Sequence, residues 1–386
     1  MKTEGLQTKQ KDHKRSLGLV KQLIILALIP ALIVGGFMSI LLFHELDSKK
    51  QADQIRSIAD YMVAANQVVH QLQKEHGASA GYIASNGNSM TDIMEKQRHL
   101  TDKYYTVLEK NIKSLDMGKL GYKFARQLNT SSRNLWKLPS IREKVKLLSI
   151  EKDESNELYF EMIEDIIGTF QEASIIVKNS KLSFPFTAFV NFIMAKEMVA
   201  VERAIMMGFA AEDKPVTQID MHRWMQVSKG QDALLATFKY QMTEDILKEF
   251  HTKLSEANIK DVTDIRMQIS KNLEKGEFGL KPEYVFAVTT RRIDDLKKVE
   301  DAQLQEILKN ATKLSAEKMV SVIIYTGMTG GSTVAMFILC FLITRSITGP
   351  ISMLSKAAKR VAEGQLDHNI EIKSKGEIGE LADSFN

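Results

Sequence analysis

Turn-forming residues and cysteine are scarce in this chain of 386 residues. It contains 21 glycines and 6 prolines, about 7% of the sequence where about 12% is ordinary. β-Sandwiches and β-barrels need frequent turns, so this scarcity argues against both. The single cysteine excludes an intrachain disulfide and a cysteine-rich metal site.

An excess of charge and the common catalytic motifs are lacking as well. The 52 Lys and Arg residues barely outnumber the 48 Asp and Glu residues, which argues against a nucleic-acid partner. The phosphate-loop pattern GxxxxGK[ST] and the zinc-peptidase pattern HExxH are absent. His70 and His76 lie about 240° apart around a helix, so one helix cannot direct both at a metal. We expect no enzyme activity in this region, no metal and no cofactor.

Two long runs without charged residues stand near the ends of the chain, at residues 22–43 and 319–344. The first would measure about 33 Å as a helix, enough to cross a hydrocarbon core of about 30 Å. Basic residues precede the first run and follow the second, which predicts cytoplasmic ends for the chain. Buried core helices, or a cleaved signal peptide in place of the first run, are the alternatives.

These runs predict five segments of a multi-pass protein in a bacterial inner (cytoplasmic) membrane. Residues 1–21 form a basic cytoplasmic tail, and each run forms a transmembrane helix. Residues 44–318 then form an extracytoplasmic domain, and residues 345–386 form a second cytoplasmic segment.

The central segment has the periodicity of helices. Apolar residues recur at steps of three and four, as at Ile58, Tyr61, Ala65, Val68 and Leu72. Turn-forming clusters divide the segment into stretches of mostly about 20–40 residues, a length typical of antiparallel bundle helices. These breaks are expected at 85–88, 116–118, Pro139, 151–154, Pro185, 213–215 and 275–279. The predicted fold class is all-α, with one or more helical bundles between two transmembrane helices.

Two short motifs stand in these apolar surroundings. The first, residues 73–82, reads QKEHGASAGY, and the second is Glu202-Arg203-Ala204. An arginine in such surroundings must pair with a carboxylate or bind an anion, because a lone buried charge is very costly. The small residues from Gly77 to Gly81 permit close approach of a neighbouring helix or a small ligand.

The two motifs resemble those of the nitrate- and nitrite-sensing (NIT) family, which have the forms QxERGxSxGY and ERA. A third stretch, Pro282–Ala287 followed by Ile293–Leu296, fits the family too, and the resemblance covers most of residues 50–310. It implies an all-helical domain in which arginines of the two motif helices hold a planar anion. Arg203 matches one of these arginines, whereas His76 stands at the position of the other.

The two basic residues of the motifs lead to different expectations. Arg203 can donate two parallel hydrogen bonds to a planar oxyanion; the alternative is an internal salt bridge to one of three nearby acids, Glu75, Glu197 or Glu202. His76 offers one donor per nitrogen and is half charged only near pH ~6.5. Nitrate binding is therefore expected to be reduced, pH-dependent or replaced by another ligand. A packing histidine with a satisfied hydrogen bond is the alternative.

Other polar residues near the motifs are weaker candidates. Ser79 and Tyr82 are expected to line the ligand site. Arg291 and Arg292, which follow the third motif, are expected on a solvated helix face.

The segment after the second run resembles a HAMP signal-relay domain, which forms a parallel four-helix bundle in a dimer. Pro350 follows the run, and Glu377 and Gly379 match the motif that opens the second helix of this family. Residues of a coiled-coil seam and of an extended connector lie between them: Ile351, Leu354, Ala358, Val361, Ile370 and Ile372. The alternative is an amphipathic helix pair on the membrane surface. The sequence stops early in the second helix, which predicts an incomplete HAMP domain and a missing output domain.

Together these features predict a homodimeric transmembrane receptor, the input half of a methyl-accepting chemotaxis protein. Nitrate or nitrite would shift a helix that continues into the second run, and the HAMP domain would pass this shift to downstream signalling proteins. The alternatives are the input half of a sensor histidine kinase or diguanylate cyclase, or a receptor that docks a partner protein and binds no small molecule.

Overall fold

The computed structural model describes residues 19–84, 86–88, 90–178, 180–254, 256–364 and 376–384. Of these residues 88% are helical and none lies in a β-strand, which confirms the all-α prediction. The helices are α1 (Leu19–Ala84), α2 (Thr91–Ser114), α3 (Tyr122–Leu135), α4 (Leu138–Lys146), α5 (Lys152–Ile176), α6 (Ser180–Glu212), α7 (Gln218–Gln241), α8 (Glu244–Lys253), α9 (Glu256–Lys271), α10 (Pro282–Ile343), α11 (Gly349–Ala362) and α12 (Glu377–Asp383). A π-helical turn, Thr344–Thr348, joins α10 to α11.

Some of the predicted features lie outside the described residues. They are the basic tail up to residue 18 and the HAMP connector with Ile370 and Ile372. The described chain divides into two compact units, one within residues 50–317 and one formed by the described residues before 50 and after 317.

The core of residues 50–317 consists of three hydrophobic clusters, and α6 contributes to all of them. The first cluster packs α1 against α3, α5 and the start of α6, and it buries the whole predicted stripe of α1. Phe192 and Phe238 lie in the second cluster, and Met206 and Trp224 lie in the third. The helix that carries Glu202 and Arg203 is therefore the central helix of the bundle.

Most predicted helix breaks are confirmed, and one is wrong. Asn86 and Gly87 adopt positive φ values after α1, and Gly276 does so where a Cβ would come within 2.5 Å of the Lys214 backbone. Pro185, however, lies inside α6 rather than between helices. Its neighbour Phe186 is fully buried, and packing of this kind compensates for the single backbone hydrogen bond that a proline removes.

Within the described residues, three helices contain stretches that are long and apolar enough to cross a membrane. Leu28–Ile83 overlaps the first predicted run and Glu283–Ala362 contains the second, and large side chains such as Phe37 and Phe337 are exposed there. The third, Lys181–Ala210 of α6, is half buried among the other helices of its unit. It also buries Lys196, which is typical of a bundle core with internal ion pairs.

Candidate functional site

The candidate site lies where α1, α5, α6 and α10 meet within residues 50–317. Ser315 Oγ donates to Asp53 Oδ1 at 2.7 Å, and Gln67 Nε2 donates to Asp301 Oδ1 at 3.3 Å. The residue numbers add to 368 in both pairs, which means that one helix runs up as the other runs down: α1 and α10 are antiparallel. By the same sum, residue 76 of α1 lies level with residue 292 of α10. This register brings the first motif next to the third.

Contacts of α5 and α6 with α1 complete the arrangement. His76 Nε2 donates to Asn156 Oδ1 of α5 at 2.8 Å, and Gln73 Nε2 donates to Glu197 of α6. Arg203 of α6 contacts Thr290 of α10, and the register places residue 290 level with residue 78 of α1, two positions from His76. The positive charge of Arg203 accordingly lowers the pKa of His76. The structure therefore brings the two motif positions of the sequence together.

Arg203 is partly exposed, and its guanidinium contacts two residues of α10. Its Nη1 donates to Thr290 Oγ1 at 3.3 Å, and its central carbon lies 5.3 Å from the centre of the Phe286 ring. Burial lowers the pKa of Arg203, and the negative charges of Glu197 and Asp294 partly oppose this shift. Within the described residues, no carboxylate lies within ion-pair distance of Arg203.

Two of the three carboxylates that could have paired with Arg203 are held by other arginines. Glu75 accepts from Arg142 Nε and Nη2 at 2.7 and 2.9 Å and from Tyr159 Oη at 2.9 Å. Glu202 accepts from Arg266 Nε and Nη2 at 2.8 and 2.7 Å. Both are bidentate pairs, the strongest geometry for this contact.

The third carboxylate, Glu197, accepts a hydrogen bond from Gln73. Burial raises the pKa of Glu197. The hydrogen bond from Gln73 and the positive charges of Lys196 and Arg203 oppose this shift. In the described part of the chain, Arg203 therefore does not form the internal salt bridge with one of these acids that was the alternative expectation.

His76 has the contacts of a packed, neutral histidine. Its ring stacks on Tyr159 with centroids 5.5 Å apart and an interplanar angle of 14°. Burial lowers its pKa, the hydrogen bond to Asn156 opposes this, and the charge of Arg203 lowers it further. Because Asn156 Oδ1 can only accept, Nε2 carries the proton of the neutral ring. These contacts favour the packing alternative.

The remaining predicted residues of the first motif lie beside this contact. Ser79 is buried with its Oγ 3.4 Å from Tyr159 Oη, and Tyr82 Oη donates to the Lys146 carbonyl at 3.3 Å. Gly77–Gly81 has the letter pattern GxSxG of a hydrolase nucleophile. It lies inside α1, whereas that motif requires a turn between a strand and a helix.

Several residues of the site had no role in the sequence prediction. Phe286 belongs to the third motif and Thr290 follows it by one helical turn, so a helical projection of that motif could have found both. Asn156 lies at the start of α5, and its sequence context gives no signal. The expectation for Arg292 is wrong: Arg291 is exposed, but Arg292 is only 8% exposed because the two lie about 100° apart on α10.

A fully buried ion pair lies about two turns away along the same helices. Lys196 of α6 pairs with Glu300 of α10, and Lys297 lies 3.4 Å from the same carboxylate. His70 of α1 is 7% exposed; burial lowers its pKa to about 2, with contributions from the charges of Lys196, Lys74 and Lys297. Neither polar side-chain atom of buried Asn66 has a hydrogen-bond partner within the described residues.

The predicted relay residues lie in the other unit. Pro350 is buried in the first turn of α11, Glu377 is the first residue of α12, and the buried Gly379 donates its backbone N–H to the Gly376 carbonyl at 2.9 Å. Their role in relaying a signal stays a prediction.

Comparison with protein families gives two matches. The family described as "Nitrate and nitrite sensing" matches residues 67–308, and the HAMP domain matches residues 342–386. Both are sensory or signalling domains rather than catalytic ones.

Curated relatives include methyl-accepting chemotaxis proteins of Bacillus subtilis (strain 168). McpB is 36% identical over 89 residues, 23% of this chain and 12% of that protein. McpA is 53% identical over 45 residues, 12% of this chain and 7% of that protein, and TlpA is 37% identical over 68 residues, 18% of this chain and 10% of that protein. The matched segments thus span about a tenth of the length of these relatives.

Among solved structures, the fold is similar to that of the NasR transcription antiterminator. The TM-score is 0.63 at 16% identity, over 80% of this chain and 84% of that one. At this identity the similarity concerns the fold alone.

Proposed function

Because its family model matches residues 67–308, the chain belongs to the nitrate and nitrite sensing family, and we propose that it is a transmembrane receptor that binds nitrate or nitrite at Arg203. The chain combines this sensory domain with a HAMP signalling domain. Chemotaxis is the proposed output, since the curated relatives are chemotaxis receptors.

One observation carries the proposal: Arg203 is only partly exposed, yet within the described residues no carboxylate lies within ion-pair distance of it. A guanidinium that is partly removed from water without an ion-pair partner is unfavourable, and an anion that binds there supplies the missing charge. Nitrate and nitrite are planar, and a guanidinium can donate two parallel hydrogen bonds to two of their oxygens. The Phe286 ring, 5.3 Å from the guanidinium carbon, covers it as a stacking surface.

The arrangement in the membrane is part of the same proposal. Residues 22–43 and 319–344 would cross the inner membrane, residues 44–318 would lie outside the cytoplasm, and residues 345–386 would relay the signal in a homodimer. The helix α10, Pro282–Ile343, contains Thr290 and all but the last residue of the second apolar run. A ligand that binds Arg203 and Thr290 in one signalling state better than in the other would therefore act on a helix that enters the membrane.

A calorimetric panel of anions tests this function on the whole chain in lipid nanodiscs. We expect saturable binding of nitrate and nitrite, and weaker binding of sulfate and phosphate, which are tetrahedral. Absence of heat with both planar anions would contradict the proposed ligand. Equal binding of sulfate would contradict recognition of a planar monovalent anion.

A further inference from the structure

The site lacks the second arginine of its family motif, and Asn156 stands next to the histidine that replaces it. The hydrogen bond from His76 Nε2 to Asn156 Oδ1, at 2.8 Å, uses the amide oxygen and fixes the orientation of the amide group. Within the described residues, Asn156 Nδ2 has no hydrogen-bond partner. Its two N–H groups are therefore available to a ligand.

The register of the helices places this amide level with Arg203. Tyr61 of α1 lies 2.7 Å from Thr169 of α5, and His76 of α1 lies 2.8 Å from Asn156 of α5. The two helices are therefore antiparallel. Arg203 of α6 contacts Thr290 of α10 at 3.3 Å, and the register of α1 and α10 places residue 290 level with residue 78, two positions from His76. One guanidinium and one neutral amide thus approach the same region from α6 and α5.

Thr290 adds a second neutral group from α10. Its Oγ1 accepts a hydrogen bond from Arg203 Nη1 at 3.3 Å. A hydroxyl that accepts in this way keeps its own proton for another acceptor. Of the three donors Arg203, Asn156 and Thr290, Arg203 is the charged one.

We propose that Asn156 supplies the second anchoring donor of the anion site, and that His76 is a positioning residue that orients the Asn156 amide. This inference rests on the proposed function and narrows its ligand class. One guanidinium neutralises one negative charge, so the site takes a small monovalent oxyanion. A divalent oxyanion would bring a second charge with no cation to compensate it.

Substitutions of Asn156 distinguish the role of its amide oxygen from the role of its amide nitrogen. Asn156→Asp keeps the acceptor for His76 but replaces the amide nitrogen by a carboxylate oxygen, and Asn156→Leu removes both. We expect the nitrate affinity to fall about tenfold or more in each, the effect of losing a hydrogen bond to a charged group. Asn111→Asp is the matched control, because Asn111 is a partly exposed residue of α2 whose amide donates to the Val107 carbonyl of the same helix.

Substitutions of His76 test its positioning role. Glutamine at this position can still donate to Asn156 Oδ1, so His76→Gln is expected to bind nitrate within about threefold of the wild type. His76→Leu cannot donate, and it is expected to lose affinity as Asn156→Leu does. Circular dichroism of each variant verifies that the helices are intact, and Asn156→Asp provides the decisive comparison if the leucine variants do not fold.

The outcomes distinguish this inference from the proposed function. Calorimetry with sodium nitrate on the whole chain in nanodiscs is expected to show loss in both Asn156 variants and retention in His76→Gln and Asn111→Asp. Nitrate binding that needs Arg203 but is unchanged in Asn156→Asp would overturn the role of Asn156 alone. If the wild-type chain does not bind nitrate, the proposed function fails, and this inference fails with it.

Discussion

Glu202 and Arg266 form a bidentate ion pair in the interior of the helical unit, with N···O distances of 2.8 and 2.7 Å. Glu202 is 1% exposed and also accepts hydrogen bonds from Trp224 and Gln231, so one carboxylate joins α6 to α7 and α9. The next residue, Arg203, lies on another face of α6 and contacts α10 instead. The motif therefore places a structural acid beside the candidate ligand arginine.

Loss of the Glu202 carboxylate is expected to destabilise the helical unit. Glu202→Gln leaves Arg266, whose side chain is 20% exposed, without its bidentate partner and with the longer contact to Asp232 at 3.8 Å, a change that costs about 3 kcal/mol. Urea unfolding followed by circular dichroism measures the effect, with Glu161→Gln at an exposed position of α5 as the control. Equal unfolding midpoints for both variants would show that the ion pair does not stabilise the fold.

The pair Lys196–Glu300 is expected to behave differently in single and double variants. Glu300→Leu alone leaves Lys196 buried without its carboxylate and should cost about 3–5 kcal/mol. Lys196→Met alone should cost less, because Glu300 keeps Lys297 as a partner. The double variant, in which Lys297 keeps Asp301, should recover most of the loss of Glu300→Leu. Thermal unfolding of the three variants provides the measurement. Additive losses in the double variant would contradict the pairing.

Acid is expected to destabilise the unit through His70. Burial, with the charges of Lys196, Lys74 and Lys297, lowers the pKa of His70 to about 2, against about 6.5 in the unfolded chain. The unfolded state therefore binds a proton that the folded state does not, so stability is complete above about pH 6.5 and falls by about 1.4 kcal/mol per pH unit below it.

Replacement of His70 tests whether this histidine causes the loss of stability at low pH. The free energy of unfolding of His70→Asn should fall less steeply than that of the wild type between about pH 6.5 and about pH 4.5. His99→Asn, at an exposed position of α2, is the control and should follow the wild type. Parallel curves for wild type and His70→Asn would contradict a buried neutral His70.

Nitrate affinity is expected to change little between about pH 8 and about pH 6.5. Burial and the nearby charge of Arg203 lower the pKa of His76, and the hydrogen bond to Asn156 opposes them only in part. The ring is therefore neutral throughout this range and adds no positive charge as the pH falls. Calorimetry at both ends of the range provides the measurement. A marked gain in affinity toward the acid end would show that a charged His76 binds the anion.

The helices of the core could be predicted because their signals are local. The stripe from Ile58 to Leu72 is spaced for one face of a helix, and that face is buried. Pro185 has a local signal too, but the burial of Phe186 and its neighbours outweighs it. Arg292 was assigned to the surface with Arg291, although the next position on a helix faces another direction.

The candidate site could be predicted only in part, because some of its residues meet through contacts between helices that are distant in the chain. Arg203 and His76 lie in motifs that can be seen in the sequence. Asn156 and Thr290 join them through the register between helices that are far apart in the chain. Contacts such as that of Ser315 with Asp53 set this register, and no local pattern reports them.

Calorimetric titration of nitrate into the whole chain and its Arg203→Ala variant tests the central claim most directly. Arg291→Ala is the matched control, because Arg291 is an exposed arginine of α10 that pairs with Asp261. We predict that the wild type and Arg291→Ala bind nitrate with similar affinity and that Arg203→Ala binds none. The urea midpoint of Arg203→Ala should stay close to that of the wild type, because the substitution removes one long hydrogen bond to Thr290 and the contact with Phe286 but no ion pair. Undiminished nitrate binding by Arg203→Ala would contradict the account.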